Sequence, residues 1–179
     1  MSIKYAILGL LSWRPLTGYD LKKMFADSVA LYWSGNNNQI YHTLVDLHEE
    51  GWVTQEIQQQ DNYPARKIYS ITDKRVSRLK KWVQTRPELP DLKNAFLIQL
   101  EWADLLEPQE LDALAGEYED EVLMQLMMLR AKEQPLNESV ARTPREAYLW
   151  GMIRENWIHF YEGELQWIRR LRTGLGEIS

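Results

Sequence analysis

At Gly51 the spacing of apolar residues changes from the three-to-four of a helix to the two of a strand, and this change constrains the fold strongly. The positions before it share one helical face: Ile40, Leu44 and Leu47. The positions after it share one face of a short strand: Val53, Gln55 and Ile57. Residues 66–71 alternate again, and the polar residues 58–65 between the two stretches predict a turn. The sequence therefore predicts a β-hairpin directly behind a helix.

Helical patterns precede and follow this pair of elements. The first belongs to a helix that is apolar nearly all round: Ile3, Ile7, Leu10 and Leu11. Thr17, three residues before Asp20, forms a capping-box start for a second helix. Asn36 is the predicted N-cap of the third helix and Thr72 that of a fourth. The order helix, helix, helix, hairpin, helix predicts a winged helix-turn-helix over residues 1–85.

Residues 86–179 predict a separate helical domain, because the stretch Thr85-Arg-Pro-Glu-Leu-Pro90 contains two prolines that interrupt helices. Pro108 suits the first position of a long helix, and Thr143-Pro-Arg-Glu146 is a strong start signal for another. This last helix can extend to Gly174, about 30 residues and ~45 Å. The fold class predicted for the chain is thus mainly α with a small β-hairpin wing.

The last helix carries large apolar residues at near-heptad spacing, interrupted once by a glutamate: Ile153, Trp157, Phe160, Glu164, Trp167 and Leu171. A long seam of this kind usually finds a partner, so we expect residues 86–179 to hold a homodimer together. The alternative is a bundle within one chain that uses the same stripe.

The two halves of the chain also differ in charge. Residues 1–85 hold 11 Lys and Arg against 8 Asp and Glu, a net charge of +3. Residues 86–179 hold 10 against 18, a net charge of −8. A mildly basic first half can face phosphate while the acidic second half stays in solvent. A difference of this size can also arise by chance.

Several classes of protein are excluded by what the sequence lacks. With no cysteine there is no disulfide scaffold, no thiolate-held metal and no thiol nucleophile. We find no glycine-rich phosphate loop, nucleophile elbow or metalloprotease helix, so we expect no enzyme and no cofactor. Glu155 and His159 share a helix face, but one such pair predicts no metal site. The apolar run near the N-terminus has no cleavage site and is short, which predicts a buried helix in a cytoplasmic protein.

Polar residues at the start of the third helix are typical of a helix that reads DNA bases. Asn and Gln side chains can form bidentate hydrogen bonds with adenine edges in the major groove. The predicted contacts are Asn37, Asn38, Gln39, His42 and Thr43. Arg66 and Lys67 lie where a wing meets phosphates. The alternatives are a plain loop with a helix cap, solvated charges on an edge strand, and a winged helix that docks onto protein.

Two stretches carry a resemblance to a known family. Gln39-Ile-Tyr-His-Thr-Leu-Val-Asp-Leu-His-Glu-Glu-Gly-Trp-Val53, followed by Arg66-Lys-Ile-Tyr-Ser-Ile-Thr72, resembles PadR-type transcriptional regulators. That family has Ile-Tyr-x-x-Leu-x-x-Leu before a glycine, and its wing ends in Tyr-x-Ile-Thr. Gly18-Tyr19 also fits the family pattern, whereas Asp73-Lys-Arg75 departs from it. The length of the chain is similar to that of the subgroup with a C-terminal helical dimerisation domain.

The resemblance implies a transcriptional regulator, expected to be a repressor, that binds an inverted-repeat operator as a homodimer. It implies that Tyr41 belongs to the DNA-reading helix and that Arg66, Lys67 and Tyr69 belong to the wing. Some family members respond to phenolic compounds, so a small aromatic effector is a further expectation. Its predicted lining is Trp102, Trp150 and Trp157. Core packing of these residues, and a small-molecule-binding protein without a DNA target, are the alternatives.

Overall fold

A computed structural model of the chain describes residues 3–27, 37–60, 63–90, 93–131 and 141–178. The chain folds as two compact units, Met1–Glu88 and Leu89–Ser179. The division falls within the stretch that contains two prolines, where the sequence predicts an interruption. Among the described residues, every helix is too short or too polar to cross a lipid bilayer.

The first unit combines four helices with a small antiparallel sheet. Its elements are α1 (Ile3–Leu11), β1 (Leu16–Thr17), α2 (Gly18–Asp27), α3 (Asn37–Glu49), β2 (Val53–Gln60), β3 (Tyr63–Ile71) and α4 (Asp73–Val83). The sheet has three strands in the order β1-β3-β2. The predicted order of helices and hairpin is confirmed. The two-residue strand β1 is not predicted by the sequence, because a segment so short carries no alternating pattern.

The hairpin pairs as predicted but is longer. Val53 lies opposite Ile71 and Gln55 lies opposite Tyr69. The residues that the alternation assigns to one face of each strand therefore lie on the same side of the sheet. The turn predicted at residues 58–65 is wrong in extent, since Gln58 still pairs with Arg66. A hairpin that projects into solvent needs no apolar alternation, and its polar strand ends therefore resembled a loop.

The core of the first unit lies between α1, α2, α3 and the sheet. Its fully buried side chains come from four of these elements: Ile7, Leu8, Leu21, Leu44, Leu47 and Val53. The capping box at α2 forms as predicted. The Thr17 amide donates to Asp20 Oδ2 at 3.0 Å, and the Asp20 amide donates to Thr17 Oγ1 at 3.1 Å. The predicted cap Asn36 lies outside the described residues.

The C-terminal end of α3 closes in a Schellman turn at Gly51. The Trp52 amide donates to the Leu47 carbonyl at 2.7 Å, and the Gly51 amide donates to the His48 carbonyl at 2.9 Å. Gly51 has φ of +66°, a left-handed conformation in which a Cβ clashes with the backbone. This turn aims the chain from α3 into β2.

We expect Gly51→Ala to lower the free energy of unfolding by about 1 kcal/mol, because alanine is strained at positive φ. Urea denaturation followed by circular dichroism measures this change. Gly9→Ala in α1 is the control, since an added Cβ there meets nothing within 4 Å. A helical Gly→Ala change raises stability by roughly 0.5–1 kcal/mol. Equal effects of the two substitutions would contradict the role of the turn.

Next to this turn, Trp52 joins α1, α3 and α4 through cations. Lys4 Nζ lies 4.1 Å from the centre of the Trp52 ring, and the Arg75 guanidinium lies 4.5 Å from it. Lys4 also pairs with Glu50 at 2.5 Å, and Arg75 donates to the Glu50 carbonyl. The hydrogen bond from Lys4 lowers the pKa of the Glu50 carboxyl. These contacts fix the end of α3 against the two flanking helices.

The second unit is helical. Its elements are α5 (Ala95–Glu101), a 3-10 turn (Ala103–Leu105), α6 (Pro108–Ala131) and α7 (Pro144–Ile178). Both predicted helix starts are confirmed, and the Glu146 amide donates to Thr143 Oγ1 at 3.1 Å. The last helix runs past the predicted end at Gly174 and spans 35 residues.

A cluster of aromatic residues joins α5, α6 and α7. Phe96 stacks on Tyr118 with ring centres 3.9 Å apart, and both rings meet the edge of Trp167. The Tyr118 hydroxyl donates to Glu164 Oε2 at 2.6 Å. Burial and this hydrogen bond raise the pKa of Tyr118 to about 12. Glu164, which interrupts the apolar stripe of α7, therefore accepts a hydrogen bond from a half-buried tyrosine.

The apolar stripe of α7 divides into two parts. Towards the C-terminus, Leu165 and Ile168 are buried, and Trp167 and Leu171 pack on the same cluster. Towards the N-terminus, Leu149, Ile153 and Phe160 are 53%, 39% and 44% exposed. These three share one helix face at spacings of four and seven residues. Within the described residues, packing inside one chain covers the C-terminal part of the stripe and leaves Ile153 and Phe160 partly exposed.

Glu119 on α6 connects to two arginines of α7. Arg169 Nε donates to Glu119 Oε1 at 2.7 Å, and Arg172 Nη1 donates to Oε2 at 2.8 Å. These hydrogen bonds lower the pKa of Glu119 below its ordinary value of 4.5. Because its pKa is lowered, the Glu119 carboxylate stabilises the folded protein above pH 4.5. This contribution is lost as the pH falls through the folded-state pKa.

We expect Glu119→Gln to lower the free energy of unfolding by roughly 0.5–1 kcal/mol at neutral pH, a modest value because both arginines are partly exposed. Urea unfolding of the variant and the unsubstituted protein across acidic pH measures the effect. The difference in stability should shrink as the pH falls below 4.5 and through the lowered pKa of the folded protein, where Glu119 takes up a proton. A difference that does not depend on pH would contradict the ion-pair explanation.

Candidate nucleic-acid interface

Helix α3 presents one buried and one exposed face. Ile40, Leu44 and Leu47 are at most 4% exposed and hold the helix to the core. Of the predicted base contacts, three are exposed and form the open face: Asn38, Gln39 and His42. Thr43 is half-buried, and the side chain of Asn37, which begins the helix, lies outside the described part of the chain. The amphipathic pattern thus directs the polar side chains away from the core.

The wing carries the two predicted phosphate contacts side by side. Arg66 and Lys67 are exposed on β3, where they lie opposite Gln58 and Ile57 of β2. Successive residues of a strand point to opposite faces. Lys67 therefore shares the face of Tyr69, and Arg66 projects from the other face.

A cavity of about 320 Å³ lies between the start of α2, helix α3 and the wing; we name it the α2–wing cleft. Its walls are Thr17, Gly18, Tyr19, Tyr41, Ala65, Arg66, Lys67 and Tyr69. It brings Tyr41 of α3 together with Arg66 and Lys67 of β3, three residues that the resemblance assigns to DNA binding. Thr17, Gly18 and Tyr19 are site residues that the sequence reasoning did not assign.

Tyr69 lies deeper than a direct DNA contact would. Its side chain is 5% exposed and packs in the core of the first unit. Burial, and then the neighbouring Tyr41, raise the pKa of the Tyr69 hydroxyl. The accessible part of Tyr69 forms a wall of the α2–wing cleft, so its assignment to the DNA surface stays a prediction.

Charges and hydrogen bonds near the cleft change the pKa of Asp20, which lies in the first turn of α2. Burial opposes ionisation of Asp20, but two hydrogen bonds from Thr17 outweigh it, and the pKa of Asp20 is lowered. Arg66 and Arg14 contribute to this lowering through their charge. The charge of Arg66 therefore favours the ionised form of Asp20 at the start of α2. Among the described residues, no carboxylate lies within 4.0 Å of Arg66 or Lys67.

The three predicted effector residues lie in the second unit. Trp102 follows α5 and is 67% exposed, whereas Trp150 and Trp157 of α7 are half-buried. Trp157 contacts Phe160 and Tyr161. A shallow cavity of about 390 Å³ on α7 is lined by Tyr148, Gly151, Met152, Arg154, Glu155 and Ile158. None of the three tryptophans lines this cavity or the α2–wing cleft, so the effector site stays a prediction.

Comparison with known proteins identifies the family. Residues 7–81 match the model of the transcriptional regulator PadR-like family, and residues 92–175 match that of the virulence activator alpha C-terminal domain. The chain belongs to the PadR-like family. This family is one of transcriptional regulators and not of enzymes, in agreement with the sequence. The predicted fold class and the resemblance are confirmed.

One curated relative of the chain is the negative transcriptional regulator PadR of Bacillus subtilis. The two are 33% identical over 109 residues, which cover 60% of each chain. A second curated relative, from Mycobacterium tuberculosis, is 31% identical over 46% of this chain. The chain spans 60% and 44% of the lengths of these two relatives.

Solved structures share the fold over nearly the whole PadR-like chain. Bacillus subtilis PadR in complex with operator DNA superimposes with a TM-score of 0.80 at 24% identity, over 97% of this chain and 98% of that chain. The same protein has been solved with p-coumaric acid, with a TM-score of 0.75 at 23% identity and the same coverage. The virulence activator AphA of Vibrio cholerae gives a TM-score of 0.75 at 22% identity, over 99% and 100%. At these identities the likeness is one of fold.

Proposed function

We propose that this protein is a transcriptional regulator that binds duplex DNA through α3 and the wing. The observation that carries the proposal is the exposed face of α3, where Asn38, Gln39 and His42 are accessible. Tyr41 of the same helix lines the α2–wing cleft together with Arg66 and Lys67. Amide and imidazole groups can bond to base edges in the major groove, while Arg66 and Lys67 neutralise phosphates. The complex of the Bacillus subtilis relative with operator DNA supports this proposal.

We further propose that residues 86–179 dimerise the protein and that residues 1–85 of each copy bind one half of an inverted repeat. The exposed face of Leu149, Ile153 and Phe160 on α7 supports the first part, because solvent-exposed apolar rows of this kind favour association. A two-fold symmetric dimer requires two half-sites related by the same symmetry. The protein would act in the cytoplasm, as the sequence predicts.

Repression and an aromatic effector complete the proposal. The Bacillus subtilis relative is a negative regulator, and its structure with p-coumaric acid holds a small phenolic compound. By analogy, a phenolic compound would bind near Trp102, Trp150 and Trp157 of the second unit. An effector that binds one conformation of the dimer better than another shifts the population, and with it the spacing between the two α3 helices.

Titration of duplex DNA with salt tests the proposed function. A protein that makes 6–10 phosphate contacts loses about 10³–10⁵ in affinity between 50 mM and 200 mM salt. We expect a steep loss of this kind on genomic fragments that the protein selects. Binding that does not depend on salt, or no binding to any fragment, would favour the protein-docking alternative. Quenching of tryptophan fluorescence by aromatic acids without any change in DNA affinity would favour a small-molecule-binding protein.

A further inference from the structure

Three polar side chains join the start of α5 to both α6 and α7. Asn94 Nδ2 donates to the Tyr118 hydroxyl at 3.2 Å, and this hydroxyl donates to Glu164 Oε2 at 2.6 Å. Asn94 also caps α5, since its Oδ1 accepts from the Phe96 amide at 3.0 Å. The Tyr118 hydroxyl thus accepts one hydrogen bond and donates another. One side chain of α6 therefore connects the first turn of α5 to α7.

Asn94 follows closely on the segment that connects the two units. Residues 86–90, which we name the linker, have no regular secondary structure and are all exposed, and Leu89 is 94% exposed. After the linker, Asn94 and Phe96 are the first described residues that are not exposed. The two prolines of the linker restrict its backbone, and a segment of this kind acts as a semi-rigid spacer. The direction of the linker therefore depends on how Asn94 and Phe96 anchor its C-terminal end.

Apolar packing and the hydroxyl contribute to this anchor separately. Phe96 is 5% exposed, and its ring stacks on that of Tyr118 with ring centres 3.9 Å apart. A phenylalanine at position 118 would retain this stack and lose only the hydrogen bonds to Asn94 and Glu164. The Tyr118→Phe substitution therefore isolates the polar connection from the core.

We propose that Tyr118 is a positioning residue that sets the half-site spacing accepted by the dimer, an inference that rests on the proposed function. Through Asn94 it holds the end of the linker that leads to the DNA-reading unit. Through Glu164 it connects this end to α7, the helix that carries the exposed face proposed for dimerisation. An operator with altered spacing requires the dimer to break the connection, which costs free energy, whereas the correct spacing does not.

Two duplexes test this inference: a selected inverted repeat, and the same repeat with two base pairs inserted between its half-sites. The insertion rotates one half-site by about 70° and moves it by ~7 Å. For Tyr118→Phe we expect unchanged affinity for the selected repeat. We expect about 2–12-fold tighter binding to the lengthened repeat, the factor that corresponds to one hydrogen bond. Fluorescence anisotropy measures both affinities, and a loss of fold stability alone would not tighten binding to either duplex.

Glu119→Gln is the matched control, because Glu119 is the neighbour of Tyr118 on α6 and also joins this helix to α7. Its partners there are Arg169 and Arg172. The substitution weakens the contact between the same two helices and leaves the contact with Asn94 intact. The ratio of its affinities for the two duplexes should equal that of the unsubstituted protein.

Asn94→Asp tests the other end of the connection. An aspartate still caps α5, but it has no amide to donate to the Tyr118 hydroxyl. We expect this variant to bind the lengthened repeat more tightly, as Tyr118→Phe does. The two substitutions together should have little further effect, because both remove the same hydrogen bond.

Two results would overturn the role of Tyr118. The first is a Tyr118→Phe protein with the same ratio of affinities as the unsubstituted protein, which would leave the hydroxyl a purely structural role. The second is an equal change of this ratio in Glu119→Gln, which would assign the effect to the helix pair as a whole. If circular dichroism shows that Tyr118→Phe is unfolded, Asn94→Asp decides in the same way. An unsubstituted protein that binds both repeats equally would instead contradict the proposed dimer on an inverted repeat.

Discussion

Replacing Asn38 with alanine should lower the affinity for the operator by about 5–150-fold and leave binding to an unrelated duplex unchanged, since a bidentate base contact contributes roughly 1–3 kcal/mol of discrimination. Asn38 is exposed on α3. Its removal takes away an amide that can pair with an adenine edge, whereas phosphate contacts are retained. Fluorescence anisotropy with both duplexes at one salt concentration measures the ratio. His42→Ala should act in the same direction.

The control for this prediction is Gln166→Ala, which removes an exposed amide from α7 in the second unit. It should bind both duplexes as the unsubstituted protein does. Thermal unfolding of Asn38→Ala should stay close to that of the unsubstituted protein, because exposed side chains contribute little to stability. An Asn38→Ala protein that prefers the operator over the unrelated duplex as strongly as the unsubstituted protein does would contradict base reading by this face.

A charge placed on the exposed apolar face of α7 should strongly weaken both dimerisation and operator binding. We expect Ile153→Glu to convert the protein to monomers and to weaken operator binding by about 10²–10⁴-fold, because a dimer engages its second half-site intramolecularly. Ile153 is 39% exposed in the single chain, so a glutamate there is tolerated by the fold itself. In a dimer interface, however, its charge loses water without gaining a partner. Analytical ultracentrifugation and anisotropy measure the two effects.

Ile178→Glu provides a matched control, because Ile178 lies at the end of the same helix and is 85% exposed. It introduces the same charge away from the row of Leu149, Ile153 and Phe160. This control should remain dimeric and bind the operator normally. A dimeric Ile153→Glu protein with unchanged affinity would show that the exposed face has another role.

The sequence predicts those parts of the fold that depend on local periodicity. Helix α3 was predicted because Ile40, Leu44 and Leu47 repeat at helical spacing, and all three are buried. The glycine at residue 51 was predicted to stop this helix, and its positive φ provides the reason. The exposure of Asn38 and His42 follows from the same pattern, since residues opposite a buried stripe face solvent.

Features that depend on contacts between distant segments were not predictable in this way. The packing of Tyr41 on Gly18 joins residues far apart in sequence, and no local pattern contains it. The depth of Tyr69 depends on β1, which pairs Leu16 with Tyr69 and is only two residues long. Glu164 looked like a break in an apolar stripe because its partner, the Tyr118 hydroxyl, belongs to another helix.

The stoichiometry of the DNA complex tests the central claim most directly. Sedimentation of the protein with a duplex that carries one selected operator measures the number of chains bound per duplex. We predict two chains on the intact inverted repeat and a large loss of affinity when one half-site is scrambled. A single chain bound to each duplex, with affinity that does not change when a half-site is scrambled, would contradict a dimer that reads two half-sites.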